Sequence, residues 1–124
     1  VRGLLLGAFP GDLFVGEVAG TTAIVVDDLV STGGTLVRAA RAARAGGARR
    51  VFACITHGLF MPGAEATLAD PAIERILATD TVPPFRLQDH AVKDKLDVVP
   101  AAPLIAEAIR RLHTNAPLTD LLVF

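Results

Sequence analysis

The sequence contains a single cysteine, Cys54, so an internal disulfide is excluded. Its setting in Arg50-Val51-Phe52-Ala53-Cys54-Ile55-Thr56 reads as a buried small hydrophobe in a reducing compartment, with the cytoplasm as the expected location. Charge of either sign is also lacking in excess: twelve Lys and Arg against thirteen Asp and Glu leave a net −1. That balance argues against a nucleic-acid or membrane-surface binder, and any anionic ligand must be held locally. No apolar run reaches the roughly 18 residues of a membrane span. The N-terminus lacks the charged, apolar and small-residue succession of a signal peptide. No His, Cys and acid spacing suggests zinc, and there is no internal repeat. The chain opens on Val1 instead of methionine, as a processed, truncated or trimmed product would.

What is present is enough apolar material for a core. Of 124 residues 52% are hydrophobic and 20% charged, which excludes disorder and suits one domain over 1–124. Ala23-Ile24-Val25-Val26 is a β-branched run ending in Asp27-Asp28, as expected of a strand buried on both faces of a parallel sheet. From Gly34 to Ala45 the apolar positions Leu36, Val37, Ala40 and Ala43 share one helical face, with Arg38, Arg41 and Arg44 around the other. Gly46-Gly47 supplies the stop. Arg50 to Thr56 and Ile73 to Thr79 read as further strands, with a short helix around Gly63 to Ala69 between them. Asp80 to Asp94, with Pro83-Pro84, reads as a long loop, and long loops inside compact domains are often functional. Leu96 to Val99 is a fourth strand. Pro103 then opens a helix with Leu104, Ile105, Ala108, Ile109 and Leu112 as its core-facing stripe and Glu107 and Arg111 as an exposed i,i+4 pair. Residues 1–22 precede the core, with Leu13 to Val18 as an outer strand. The alternation predicts an α/β fold: a mostly parallel sheet flanked by helices with right-handed crossovers.

The chemistry concentrates in Ala23-Ile24-Val25-Val26-Asp27-Asp28-Leu29-Val30-Ser31-Thr32-Gly33-Gly34-Thr35. Glycines let the backbone turn several N–H groups toward one spot, and the helix N-terminus adds a positive dipole end, so a phosphate can be held without lysine. Ser31, Thr32 and Thr35 add hydroxyl donors. Asp27 and Asp28, at the strand end, can accept hydrogen bonds from vicinal hydroxyls or help hold a hydrated magnesium ion. A sugar phosphate is the ligand this combination suits, and open α/β sheets bind ligands beyond the carboxyl ends of their strands.

This segment resembles the phosphoribosyl pyrophosphate-binding motif of type I phosphoribosyltransferases. With Val15 to Gly20, Gly47 to Ala53, Thr56-His57-Gly58-Leu59-Phe60, Thr79 to Pro83 and Ala102 to His113, the chain is similar to the C-terminal part of ribose-phosphate pyrophosphokinases from about Leu13 to His113. The resemblance implies a type I phosphoribosyltransferase-like fold lacking the family's N-terminal domain. It implies transfer of the diphosphoryl group of ATP to the anomeric hydroxyl of ribose 5-phosphate, with Mg2+ neutralising phosphate charge. Asp27 and Asp28 would contact the ribose hydroxyls or the metal-bound product, and Ser31, Thr32, Gly33, Gly34 and Thr35 would cradle the 5-phosphate. ATP would be bound through regions outside this chain, which alone is expected to be inactive, and assembly would be homo-oligomeric. Many members carry an acidic residue and an alanine where this chain has Ser31 and Gly33.

Other readings compete. A phosphoribosyltransferase using phosphoribosyl pyrophosphate, or a non-catalytic regulatory protein binding that compound, would use the same motif. A receiver domain also ends its first strand in an acidic pair, and Asp80 closes a later strand as a phosphoacceptor would, yet the glycine turn has no role there. His57, after a strand end, is a candidate for the ligand crevice, although a lone histidine is more often structural. Arg38, Arg41, Arg44, Arg49 and Arg50 read as a solvated face before an anion patch.

Overall fold

The structure, a computed structural model, describes residues 5–6, 17–88 and 90–121. Its elements are β1 (Leu5–Leu6), β2 (Thr22–Val30), α1 (Gly34–Ala45), β3 (Arg50–Gly58), α2 (Ala64–Leu68), β4 (Arg75–Thr79), α3 (His90–Lys93), β5 (Leu96–Val99), α4 (Ala102–His113) and a 3-10 turn at Thr119–Leu121. The strands form one sheet in the order β1-β2-β3-β4-β5, and every neighbouring pair is parallel. The longest pairing sets Ala23 beside Val51, Val25 beside Ala53 and Asp27 beside Ile55.

Alternation along the strands decides which face is buried. Ala23, Val25, Val51, Ala53, Ile55, Ile76 and Ala78 point to one side, where they join Leu36, Val37, Ala40 and Ala43 of α1, Leu68 of α2 and Val92 of α3 in one apolar cluster. The other side has no such cover among the described residues: Ile24, Phe52, Cys54 and Leu77 are half-buried, and Val26 and Val99 are 39% and 45% exposed. At the sheet's N-terminal edge Arg50 pairs with Glu74 at 2.6 Å and Arg75 with Asp97. Arg50 also lies over the Phe52 ring, 4.7 Å from its centroid.

Helix α1 has the expected bounds and the expected buried face. Gly47, at φ 88, supplies the left-handed residue after it. Other expectations are corrected. The strand before the motif does not stop at Asp27-Asp28 but continues to Val30, because its ladder with β3 runs on to Val30 and Gly58. The stretch Asp80 to Asp94 is not wholly irregular, since α3 lies within it and buries Val92. Cys54 is half-buried instead of buried, because its side chain lies on the uncovered face. The stripe of α4 is not core-facing here: the helix has no buried residue, and Leu104, Ile105, Ile109 and Leu112 are all exposed. The expected outer strand at Leu13 to Val18 falls mostly outside the described residues, and Glu17 and Val18 are not in a strand.

Candidate functional site

The site grows from the end of β2. The Val30 carbonyl accepts from the Leu59 amide at 2.9 Å and the Ser31 carbonyl from the Met61 amide at 2.9 Å, so the segment after β3 pins the loop where it leaves the sheet. Gly33 then takes φ 83, ψ 2, a left-handed conformation that side-chain-bearing residues adopt only at a cost. A second constraint falls on the same residue: a Cβ there would lie 2.6 Å from Leu68 Cδ2 and 2.9 Å from Leu68 Cγ. Leu68 is fully buried, so α2 presses directly against the loop.

Helix α1 follows with Gly33 as its N-cap. No side chain caps it, and its first turn carries no acidic residue. The first backbone N–H groups of a helix have no acceptor within it, and no carboxylate of the first turn offsets the positive end of the helix dipole. Such an end is suited to an anion.

A cleft of about 720 Å³ opens at this point, lined by Asp27, Leu29, the loop from Val30 to Gly34, the face of α1 from Thr35 to Arg38 with Arg41, and Ala66, Thr67 and Asp70 near α2. It brings together six of the seven residues expected at the site: Asp27, Ser31, Thr32, Gly33, Gly34 and Thr35. Asp28 is not in its lining. As the next residue along the strand it projects from the opposite face of the sheet, where it is exposed.

Of the far wall, the sequence reading weighed Arg38 and Arg41 as an anion patch and preferred a solvated face, and Asp70 escaped it. Arg41 donates from Nε at 2.9 Å and from Nη2 at 2.5 Å to Asp70 Oδ2. The Ala72 amide donates to Asp70 Oδ1 at 2.7 Å. These donors, Ala72 first and Arg41 after it, hold the Asp70 carboxyl below the usual carboxylate range. Arg38, one turn earlier, donates from Nη2 to Thr35 Oγ1 at 3.4 Å. Helical spacing from Thr35 was the available signal for Arg38, whereas nothing local announces Asp70. Arg44 and Arg50 are structural: Arg44 donates to the Ala72 and Arg49 carbonyls, and Arg50 holds Glu74.

His57 is exposed and stands outside the cleft, its Nδ1 2.8 Å from Thr81 Oγ1. Thr79 Oγ1 is 2.8 Å from the same hydroxyl and donates to the Thr56 carbonyl at 2.6 Å. Asp80 accepts from the Ala101 amide at 2.8 Å, which ties it to the start of α4 and gives it a structural task in place of a phosphoacceptor's.

For a metal, the described residues offer no cluster of three His, Cys, Asp or Glu side chains. Asp27 and Asp28, on opposite faces of one strand, do not form a dedicated cage. Asp27, the one of the two that lines the cleft, fits magnesium in the manner usual for that ion, which keeps several waters and is held by one or two carboxylates plus substrate phosphates. Among the described residues no helix is long and apolar enough to cross a membrane.

Relatives of the chain share its sequence over most of its length. The chain is 42% identical over 107 residues to a ribose-phosphate pyrophosphokinase of Aquifex aeolicus, covering 86% of this chain and 33% of the relative. It is 44% identical over 102 residues to the ribose-phosphate pyrophosphokinase of Haemophilus ducreyi, covering 82% and 31%. The crystal structure of phosphoribosylpyrophosphate synthetase from Mycobacterium smegmatis superposes with a TM-score of 0.69 at 34% identity, over 82% of this chain and 33% of that one. The chain thus spans about a third of the length of the relatives it matches. Residues 9–123 match the family described as phosphoribosyl synthetase-associated domain, and the chain, carrying that family's sheet with the glycine turn at the head of its first long helix, belongs to it.

Proposed function

We propose that this chain supplies the ribose 5-phosphate site of a ribose-phosphate pyrophosphokinase. The observation that carries the reading is the uncapped, acid-free N-terminus of α1 opening into the same cleft as Asp27. The backbone N–H groups of Gly34 and Thr35 and the hydroxyls of Ser31, Thr32 and Thr35 take the 5-phosphate. Asp27 accepts from the ribose hydroxyls. So held, the sugar presents its anomeric hydroxyl to ATP: a bond forms from that oxygen to the β-phosphorus, the bond from the β-phosphorus to the AMP oxygen breaks, AMP leaves, and the hydroxyl proton is released. Magnesium, when bound, would neutralise phosphate charge, with Asp27 as the cleft carboxylate available to its water shell. The chain's own share is orientation and electrostatic stabilisation, which dominate in phosphoryl transfer.

ATP recognition falls to the portion of the relatives that this chain does not span, so binding without turnover is the expected behaviour of the 124 residues alone. A cytoplasmic, homo-oligomeric protein completes the reading. Partial burial pushes the pKa of its lone thiol, Cys54, above the usual range.

Calorimetric titration with ribose 5-phosphate and separately with ATP, both with magnesium, tests the reading. Sugar phosphate binding with little or no ATP binding is expected. Thr35→Ala and Asp27→Asn should each weaken it about tenfold, the loss of one hydrogen bond to a charged group, and Asp28→Asn, on the opposite face of the strand, should leave it unchanged. Wild-type binding by both Thr35→Ala and Asp27→Asn removes the motif's assigned role. Pyrophosphate release from phosphoribosyl pyrophosphate with a nucleobase, without ATP, would identify a phosphoribosyltransferase instead.

A further inference from the structure

The cleft carries four charged side chains, and they are not equivalent. Arg41 and Asp70 satisfy each other through two nitrogens of the guanidinium. Asp27 lines the cleft from within β2. Arg38 remains, exposed and with no carboxylate partner among the described residues: its recorded contact is the neutral hydroxyl of Thr35. Its position runs against local electrostatics. A cation folded back toward the first turn of a helix faces the positive end of the dipole, where an acidic residue is favoured, and this first turn has none. Long side chains on a helix lean toward its N-terminus, so the chain places Arg38 at the loop by ordinary rotamer preference and leaves the resulting positive charge unbalanced. Breaches of a local rule with no compensation inside the protein concentrate at functional sites.

We infer that Arg38 is a phosphate-binding residue of the cleft, joining the backbone donors of the loop and the Thr35 hydroxyl around the terminal phosphate and so selecting a phosphorylated sugar over the free sugar. The inference rests on the ribose 5-phosphate reading of the cleft and adds a side chain to what would otherwise be a cradle of backbone and hydroxyl donors. The charges then sort along the cleft: Asp27 at the polyol end, Arg38 at the anionic end, with Arg41 withheld by Asp70. A guanidinium donating to a phosphate oxygen makes a charge-assisted hydrogen bond.

The experiment titrates the 124-residue chain with ribose 5-phosphate and with ribose, in wild type, Arg38→Gln, Arg38→Lys, Thr35→Ala and the exposed Arg49→Gln as a control of equal net charge. Glutamine and lysine both have good helix propensity, and the unfolding midpoint of each variant is measured alongside. The expected result is a loss of about tenfold in ribose 5-phosphate affinity for Arg38→Gln, most of it regained by Arg38→Lys, no change for Arg49→Gln, and unfolding midpoints unaltered. Affinity for ribose is untouched by any of the arginine changes. If Thr35→Ala weakens binding while Arg38→Gln binds as wild type, the inference is overturned and the reading of the loop stands. Failure of the wild type to bind ribose 5-phosphate overturns that reading and the inference with it.

Discussion

Gly33 concentrates more constraint than any other residue of the site. Its positive φ and its contact with Leu68 act through different partners, so they can be separated by mutation. Gly33→Ala is expected to destabilise the fold by about 1–3 kcal/mol in urea denaturation, from strain in the left-handed conformation and overpacking against α2. Leu68→Ala removes a fully buried side chain and should cost about 2–5 kcal/mol. In the double variant the space vacated by Leu68 admits the new Cβ, so the overpacking is relieved and the combined cost should fall below the sum of the two, to the cost of the lost Leu68 side chain plus the conformational strain. Strict additivity would show that α2 does not press on the loop. At this scale the sequence was legible wherever the chemistry is contiguous: Ser31 to Thr35 form the loop because neighbours in sequence are neighbours in a turn. It was illegible for Asp70, which meets Arg41 only through the packing of α1 against α2, and for the division of Asp27 from Asp28, which depends on the strand continuing past both.

Among the elements, α1 was readable in bounds and in face because its glycines and its apolar spacing agree. β2 was read short because aspartate is depleted in strands, whereas the ladder with β3 carries Asp27 along regardless of preference. α4 shows the converse failure. Its spacing describes an apolar face correctly but says nothing about whether anything covers it. What holds the polar side of α4 is a small charge network: Glu107 accepts from Arg110 and Arg111, at 2.6 to 2.8 Å, and Arg111 reaches Asp120 at 3.2 Å. Those hydrogen bonds, Arg110 first and Arg111 second, lower the Glu107 pKa from 4.5 to about 2. A carboxyl depressed by folding contributes its stabilisation above its unfolded pKa and loses it as pH falls through the folded one. Helical circular dichroism should therefore decline between about pH 4.5 and pH 2 by more in the wild type than in Glu107→Gln. Superimposable pH curves would count against the network.

At the scale of the whole molecule, the unusual property is a parallel sheet with its apolar cluster on one side. Parallel sheets occur almost only with both faces covered, and here one face and the stripe of α4 both remain open among the described residues. Contiguous exposed apolar surface of this kind drives association. Sedimentation of the chain should show concentration-dependent self-association, and the double change Ile109→Glu with Leu112→Glu should reduce it while leaving the buried cluster and the unfolding midpoint in place. A wild type that stays monomeric over the same range would show that the stripe is tolerated in water. None of this could be read from spacing, because a periodic pattern marks which side of an element is apolar and leaves its partner unnamed.

The order of the strands carries one more consequence. Each strand from β2 onward pairs with the strand immediately before it in the chain, so no pairing has to wait for a distant segment to arrive. During synthesis the sheet can be laid down strand by strand as the polypeptide emerges, with α1 closing over β2 and β3 before β4 is made. Sequence-local pairing of this sort lowers the loop-closure entropy that slows parallel sheets, and it lets the phosphate loop, between β2 and α1, take its final shape before β4 and β5 join the sheet.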